Sequence, residues 1–153
     1  LALSSIGQYD VAASPLQMAM VAAGIANDGV LMEPYLTKSV RAANLQTVWT
    51  HKDTPMSTPM TRESAKQLQQ MMVSVVNNGT GRNARIDGVT VGGKTGTAQT
   101  SPDKPPYAWF VGWSDKPKVA VAVFVESSNT ERSEIAGGRL GAPIARDVIE
   151  ALR

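Results

Sequence analysis

Between Gly92 and Ala98 the chain reads Gly92-Gly93-Lys94-Thr95-Gly96-Thr97-Ala98, one cation and two hydroxyls set among residues too small to crowd them. That set suits an anionic end group, because an ammonium supplies charge and hydroxyls add charge-assisted hydrogen bonds to a carboxylate. Glycine inside a strand weakens it, and a usual compensation is the close approach of another backbone. If this strand forms a sheet edge, its unpaired N–H and C=O groups can pair with an extended peptide. Thr95 and Thr97 then offer hydroxyls to the peptide's terminal carboxylate, and Lys94 offers positive charge. A lone Lys-Thr-Gly triplet also fits a glycine-containing turn beside a surface lysine, so its surroundings have to decide.

The same residues complete Gly88-Val89-Thr90-Val91-Gly92-Gly93-Lys94-Thr95, which matches the phosphate-loop pattern G-x-x-x-x-G-K-[ST]. Such a loop needs a buried strand before its first glycine and a helix starting near the lysine, whose N–H groups hold the phosphates. Asn83-Ala84-Arg85-Ile86-Asp87 is too polar for that strand, and Gly96, Pro102, Pro105 and Pro106 oppose that helix. Val119–Glu126 ends in an acid, although the usual magnesium-holding residue is Asp. Gly79-Thr80-Gly81-Arg82-Asn83-Ala84 imitates the dinucleotide pattern G-x-G-x-x-A but follows a helical pattern instead of a strand. Asn78-Gly79-Thr80 spells a glycosylation sequon, a common tripeptide that here serves a helix end. His51, the single histidine, has no G-x-S-x-G serine to serve, which argues against a Ser-His-Asp triad.

The elements that must position Lys94 and its neighbours follow from periodicity and caps. Ser14-Pro15-Leu16-Gln17 offers an N-cap serine, a proline at the first helical position and a reciprocal glutamine. The nearly all-apolar run to Ala26 predicts a buried helix, which Asn27-Asp28-Gly29 stops. Tyr35–His51, broken by Ala42-Ala43-Asn44, predicts a two-stranded excursion, and 55–59 reads as a loop. Thr61 caps a predicted helix with Ala65, Leu68, Met72 and Val75 at helical spacing, ended by Asn77-Asn78-Gly79. Val89–Ala98, Ala108–Ser114 and Val119–Glu126 predict three strands, the last two joined tightly enough at Lys116-Pro117 for an antiparallel hairpin. Trp109, Phe110 and Trp113 read chiefly as sheet packing, with Trp109 or its neighbours as candidates to border a substrate groove. Ala142–Leu152 predicts an amphipathic helix with Ile144, Val148 and Leu152 on one side. Helices before and after a run of strands imply an α+β structure with helices packed on an antiparallel sheet.

At 153 residues and 42% hydrophobic content, one compact core fits and two ordinary domains do not. The longest apolar stretch, Val119–Val125, falls far short of the roughly 20 residues that cross a bilayer. Absence of cysteine excludes disulfides, thiolate metal sites and thiol nucleophiles. The formal charge of +2 comes from scattered Lys and Arg with no basic run, so nucleic-acid binding is not indicated.

Four blocks, taken in order, carry a family likeness. They are Ser5-Ile6-Gly7-Gln8 with Ser14-Pro15-Leu16-Gln17-Met18 and Ile25-Ala26-Asn27-Asp28-Gly29; Gly79-Thr80-Gly81 with Ala84; Lys94-Thr95-Gly96-Thr97-Ala98; and Ala108-Trp109-Phe110-Val111-Gly112. Over nearly the whole chain they resemble the C-terminal portion of class B penicillin-binding proteins, the bacterial DD-transpeptidases of peptidoglycan. Tyr9-Asp10-Val11 is similar to the version in actinobacterial A-type members.

The resemblance implies a serine β-lactamase/DD-transpeptidase-like fold, with residues 1–153 the C-terminal part of a single transpeptidase domain. In that family S-x-x-K, S-x-N and K-T-G converge, and only the third stands in family position here, so the nucleophile is expected upstream and this segment alone should be inert. Ser101-Pro102-Asp103-Lys104 and Ser127-Ser128-Asn129 spell the other two but follow the K-T-G strand, where the family has them before it. By the same resemblance Lys94 supports proton transfer and carboxylate binding, Thr95 and Thr97 bind the carboxylate, and Gly96 admits the scissile bond. The Thr97 N–H joins the nucleophile's own N–H in an oxyanion hole. The implied partners are a stem peptide ending in D-Ala-D-Ala, β-lactam antibiotics, the upstream segment and a membrane glycosyltransferase, with neither cofactor nor metal. The implied location is the extracytoplasmic face of the bacterial plasma membrane, anchored by an N-terminal segment. A penicillin-sensing domain without turnover is the alternative.

Overall fold

The computed structural model describes residues 11–99 and 104–153, so Ser5-Ile6-Gly7-Gln8, Tyr9-Asp10 and Ser101-Pro102-Asp103 lie outside the described residues. Helix α1 spans Pro15–Ala26, and its start is the reciprocal cap the sequence predicts. The Ser14 N–H donates to Gln17 Oε1 at 2.7 Å and the Gln17 N–H donates to Ser14 Oγ at 3.2 Å, which satisfies two otherwise orphaned donors. Its end is a left-handed turn in which Asp28 and Gly29 have φ of 55° and 94°. Gly29 is needed there, because a Cβ would stand 2.5 Å from the Met60 carbonyl oxygen.

The predicted excursion is present as β2 (Ser39–Arg41) and β3 (Thr47–Thr50), paired antiparallel with all seven residues exposed. The chain before and after it forms a second small ladder, β1 (Leu31–Met32) with β4 (Pro55–Ser57). Residues 55–59 are therefore not wholly a loop. Two-residue and three-residue strands carry too little periodicity to announce themselves, and their pairing comes from the hairpin between them drawing the flanks together.

Helix α2 (Arg62–Asn78) is capped by the Thr61 hydroxyl, which accepts from the Ser64 N–H at 3.1 Å. It buries Ala65, Met72 and Val76. The three remaining strands, β5 (Val91–Ala98), β6 (Tyr107–Asp115) and β7 (Lys118–Val125), form an antiparallel sheet in the order β5-β6-β7. Asp115 closes the base of the β5–β6 pair: its N–H donates to the Thr90 carbonyl at 3.1 Å and its carboxylate accepts from the Thr90 N–H at 2.8 Å.

Side chains alternate across a sheet, so each face has its own cover. On one face Phe110 and Val123 pack with Ala142, Ala145 and Ile149 of helix α3 (Ala142–Ala151). On the other, Trp113 packs with Ile25 of α1 and Met72 of α2. The α+β arrangement of an antiparallel sheet flanked by helices is thus observed. A short 3₁₀ turn (Arg132–Glu134) and a π-helical turn (Gly137–Gly141) connect β7 to α3, and Arg139 pairs with Glu134 between them. Neither turn was foreseen, since such single turns have no periodicity to read.

Two helices depart from expectation in how they lie. The run that predicts a buried α1 buries Ala22, Gly24 and Ile25 but leaves Leu16 and Val21 exposed. On α3 the row Ile144, Val148 and Leu152 points outward, 46%, 43% and 56% exposed, while the small residues Ala142 and Ala145 meet the sheet with Ile149. Alanines allow that close contact, and the larger aliphatics fall on the opposite side of the helix.

Candidate active site

Strand β5 carries the predicted motif and, among the described residues, stands at the sheet edge, paired only with β6 from Val91↔Ser114 to Ala98↔Tyr107. It runs unbroken through Gly92, Gly93, Lys94 and Thr95 with no helix after the lysine, which disposes of the phosphate-loop alternative. Helix α2 packs against it, and the strand divides into two halves. Val91, Gly92 and Gly93 are buried, whereas Lys94 and Thr97 are exposed and Thr95 and Gly96 half-buried.

The glycines account for that division. A Cβ on Gly92 would lie 2.4 Å from the Trp113 ring, and one on Gly93 would lie 2.3 Å from the Phe110 ring. Both therefore make room for the protein's own core, one on each face, and not for a ligand. At Gly96 the nearest atom to a Cβ is Trp109 Cβ at 3.3 Å. Of the three glycines, only Gly96 thus remains as the one that leaves space beside the open half. Trp109 itself is half-buried and packs on Phe124 with ring centroids 4.7 Å apart, so it lies next to Gly96 as a wall of the exposed half.

Alternation puts Thr95 and Thr97 on one face and Lys94 on the other. The Lys94 ammonium curls back toward the strand, where Nζ donates to the Thr95 carbonyl at 2.6 Å. The Thr95 hydroxyl lies 2.7 Å from that of Thr80, in the link between α2 and the 3₁₀ turn Arg82–Ala84. Beyond Thr97 a cleft of about 670 Å³ opens, lined by Thr97, Pro106, Glu131, Arg132, Ser133 and Ile135. It lies where the strand end, the entry to β6 and the 3₁₀ turn after β7 meet, and neither the cleft nor Thr80 was singled out by sequence. Only the Gly79-Thr80-Gly81 block hinted at the second.

Other candidates separate cleanly. His51 stacks on Tyr35 at a centroid distance of 3.7 Å in the hairpin region, so its role there is packing. Among the described residues no group of three or more His, Cys, Asp or Glu could hold a metal ion, and no helix is long and apolar enough to cross a membrane. Asp28, at the end of α1, accepts from Lys66 at 2.7 Å and from Gln69 at 3.2 Å and lies 3.1 Å from Arg62. The Lys66 hydrogen bond, then that of Gln69, hold its carboxyl below the usual carboxylate range. This ties α1 to α2 and has no evident part in the site.

The chain that builds this Lys-Thr-Gly edge strand matches, over residues 1–150, the penicillin binding protein transpeptidase domain, and it belongs to that family. Its similarity is strong to the peptidoglycan D,D-transpeptidase PbpA of Mycolicibacterium smegmatis, 42% identical over 99% of this chain and 31% of the relative. PbpA of Mycobacterium tuberculosis is 40% identical over the same shares. Among solved structures, penicillin-binding protein A from M. tuberculosis as its ceftriaxone acyl-enzyme complex superposes with a TM-score of 0.88 at 39% identity, covering 97% of this chain and 34% of that one. The chain thus spans about a third of the length of these relatives.

Proposed function

We propose that this chain supplies the K-T-G wall of a serine DD-transpeptidase that cross-links peptidoglycan and is acylated by β-lactams. The observation that carries the reading is the open half of β5: an edge strand with Thr95 and Thr97 on one face, Lys94 on the other with its ammonium drawn back to the Thr95 carbonyl, and Gly96 without bulk. A stem peptide ending in D-Ala-D-Ala would add to that edge as a further strand, with its carboxylate held by the hydroxyls of Thr95 and Thr97 and by the charge of Lys94. The Thr97 N–H would donate to the oxygen on which negative charge develops, a contribution worth about 2.7 to 4 kcal/mol when such a donor is removed.

In this reading residues 1–153 are the C-terminal part of one transpeptidase domain, and the upstream part brings the S-x-x-K serine and the S-x-N serine. The upstream serine attacks the penultimate D-Ala carbonyl, D-alanine leaves, and an amine of a neighbouring stem peptide resolves the acyl-enzyme. The exposed Leu16 and Val21 of α1 and the outward apolar row on α3 agree with a domain whose remaining part covers them. The whole protein would work at the extracytoplasmic face of the plasma membrane, anchored by an N-terminal segment and acting beside a glycosyltransferase.

The test is to join this segment to its native upstream sequence and follow fluorescent penicillin labelling together with D-alanine release from a stem-peptide mimic. Labelling with release is the expected result, and the segment by itself should show neither. Labelling without release would identify a sensor, and no labelling at all would defeat the reading.

A further inference from the structure

Thr80 lies in a link that the transpeptidase reading leaves without a task, yet its backbone is held from two sides. The N–H groups on either side of it, those of Gly79 and Gly81, both donate to the Val75 carbonyl at 3.0 Å, which moors the link to the last turn of α2. From the other side the π-helical turn presses in. A Cβ on Gly138 would stand 2.1 Å from the Thr80 carbonyl oxygen, so the two backbones touch, and Asn83 Nδ2 donates to the Gly138 carbonyl at 2.8 Å to lock the turn in place. The same notional Cβ lies 3.5 Å from Thr95 Cγ2, so the Thr95 methyl sits beside this turn while its hydroxyl meets that of Thr80.

We propose that Thr80 is a positioning residue for carboxylate recognition: held by Val75, Asn83 and Gly138, it orients the Thr95 hydroxyl toward the bound ligand. The inference rests on the transpeptidase reading and deepens it. Proton counting gives the hydrogen bond its direction. A threonine hydroxyl carries one proton, so a Thr95 that donates to a carboxylate must be the acceptor in its 2.7 Å contact with Thr80. Thr80 then donates, which selects one rotamer of Thr95 and polarises its O–H toward the anion. Thr97, exposed two residues further on, carries the second hydroxyl on that face.

The experiment is a double-mutant cycle in the intact protein, reading the second-order rate of penicillin labelling. Loss of one hydrogen bond of this kind predicts that Thr80→Val slows labelling about tenfold, with Thr95→Val slowed at least as much. Because Thr80 acts through Thr95, the double variant should be no slower than Thr95→Val alone. Thr80→Ser, which keeps the hydroxyl, should restore most of the rate, and melting temperatures should stay level across the series. Additive losses, or a Thr80→Ser as slow as Thr80→Val, would overturn the proposal. An unaltered Thr80→Val rate in a protein whose wild type labels normally defeats the positioning role alone, whereas a wild type that takes up no penicillin defeats the functional reading beneath it.

Discussion

The two halves of β5 both contain glycine and use it in opposite ways. In Val91–Gly93 glycine is a consequence of the core: the rings of Trp113 and Phe110 occupy the space where side chains would stand, one on each face. In Lys94–Ala98 the strand is exposed or half-buried, with the π-helical turn lying against Thr95 and the Gly96 backbone and open space left beside the Gly96 Cα. A glycine in a strand therefore signals close approach without saying whether the neighbour comes from inside or outside. The rings across the β5–β6 ladder decide the matter, and they lie about twenty residues away in sequence.

Substitutions in each half should separate the two roles. Phe110→Ala empties the space that Gly93 serves and should cost about 3 to 5 kcal/mol of stability, measured by denaturant unfolding. If the loss is under 1 kcal/mol, Phe110 does not form the core against which Gly93 packs. Gly96→Val, in the open half, should slow penicillin labelling about a hundredfold by displacing the ligand strand, with little change in melting temperature. A large drop in stability there would erase the contrast between the halves. Gly93→Ala places one carbon against Phe110 and should destabilise by about 1 to 3 kcal/mol as an overpacked site.

The smallest effect is expected away from the strand, at Asp28. Its carboxyl titrates below the ordinary range in the folded protein, chiefly through Lys66, so its contribution is complete above the unfolded carboxylate's range. That contribution disappears as pH falls through the lowered folded value. Melting curves of wild type and Asp28→Asn should differ slightly at neutral pH and converge in acid.

What the sequence disclosed was whatever rests on neighbours close along the chain. The reciprocal cap of Ser14 and Gln17, the stop at Asp28-Gly29, the Thr61 cap and the three strands of the main sheet all depend on residues a few positions apart, and each is found where periodicity predicts it. The residue types of Gly92–Ala98 pointed to the motif strand, and the family blocks to the chemistry expected of it. What remained hidden depends on partners distant in sequence. Gly92 and Gly93 could be understood only with Trp113 and Phe110 in place, and Thr80 only with Thr95 and Gly138 against it. The inward face of α3 was obscured by its own chemistry, because its alanines, and not its larger Ile144 and Val148, meet the sheet.

That last helix has a practical consequence. The ridge of Ile144, Val148 and Leu152 is wetted hydrocarbon on a rigid rod, and two such rods can zip together. Preparations of this segment alone should accordingly dimerise or bind solvatochromic dyes as concentration rises, and Val148→Lys should keep them monodisperse.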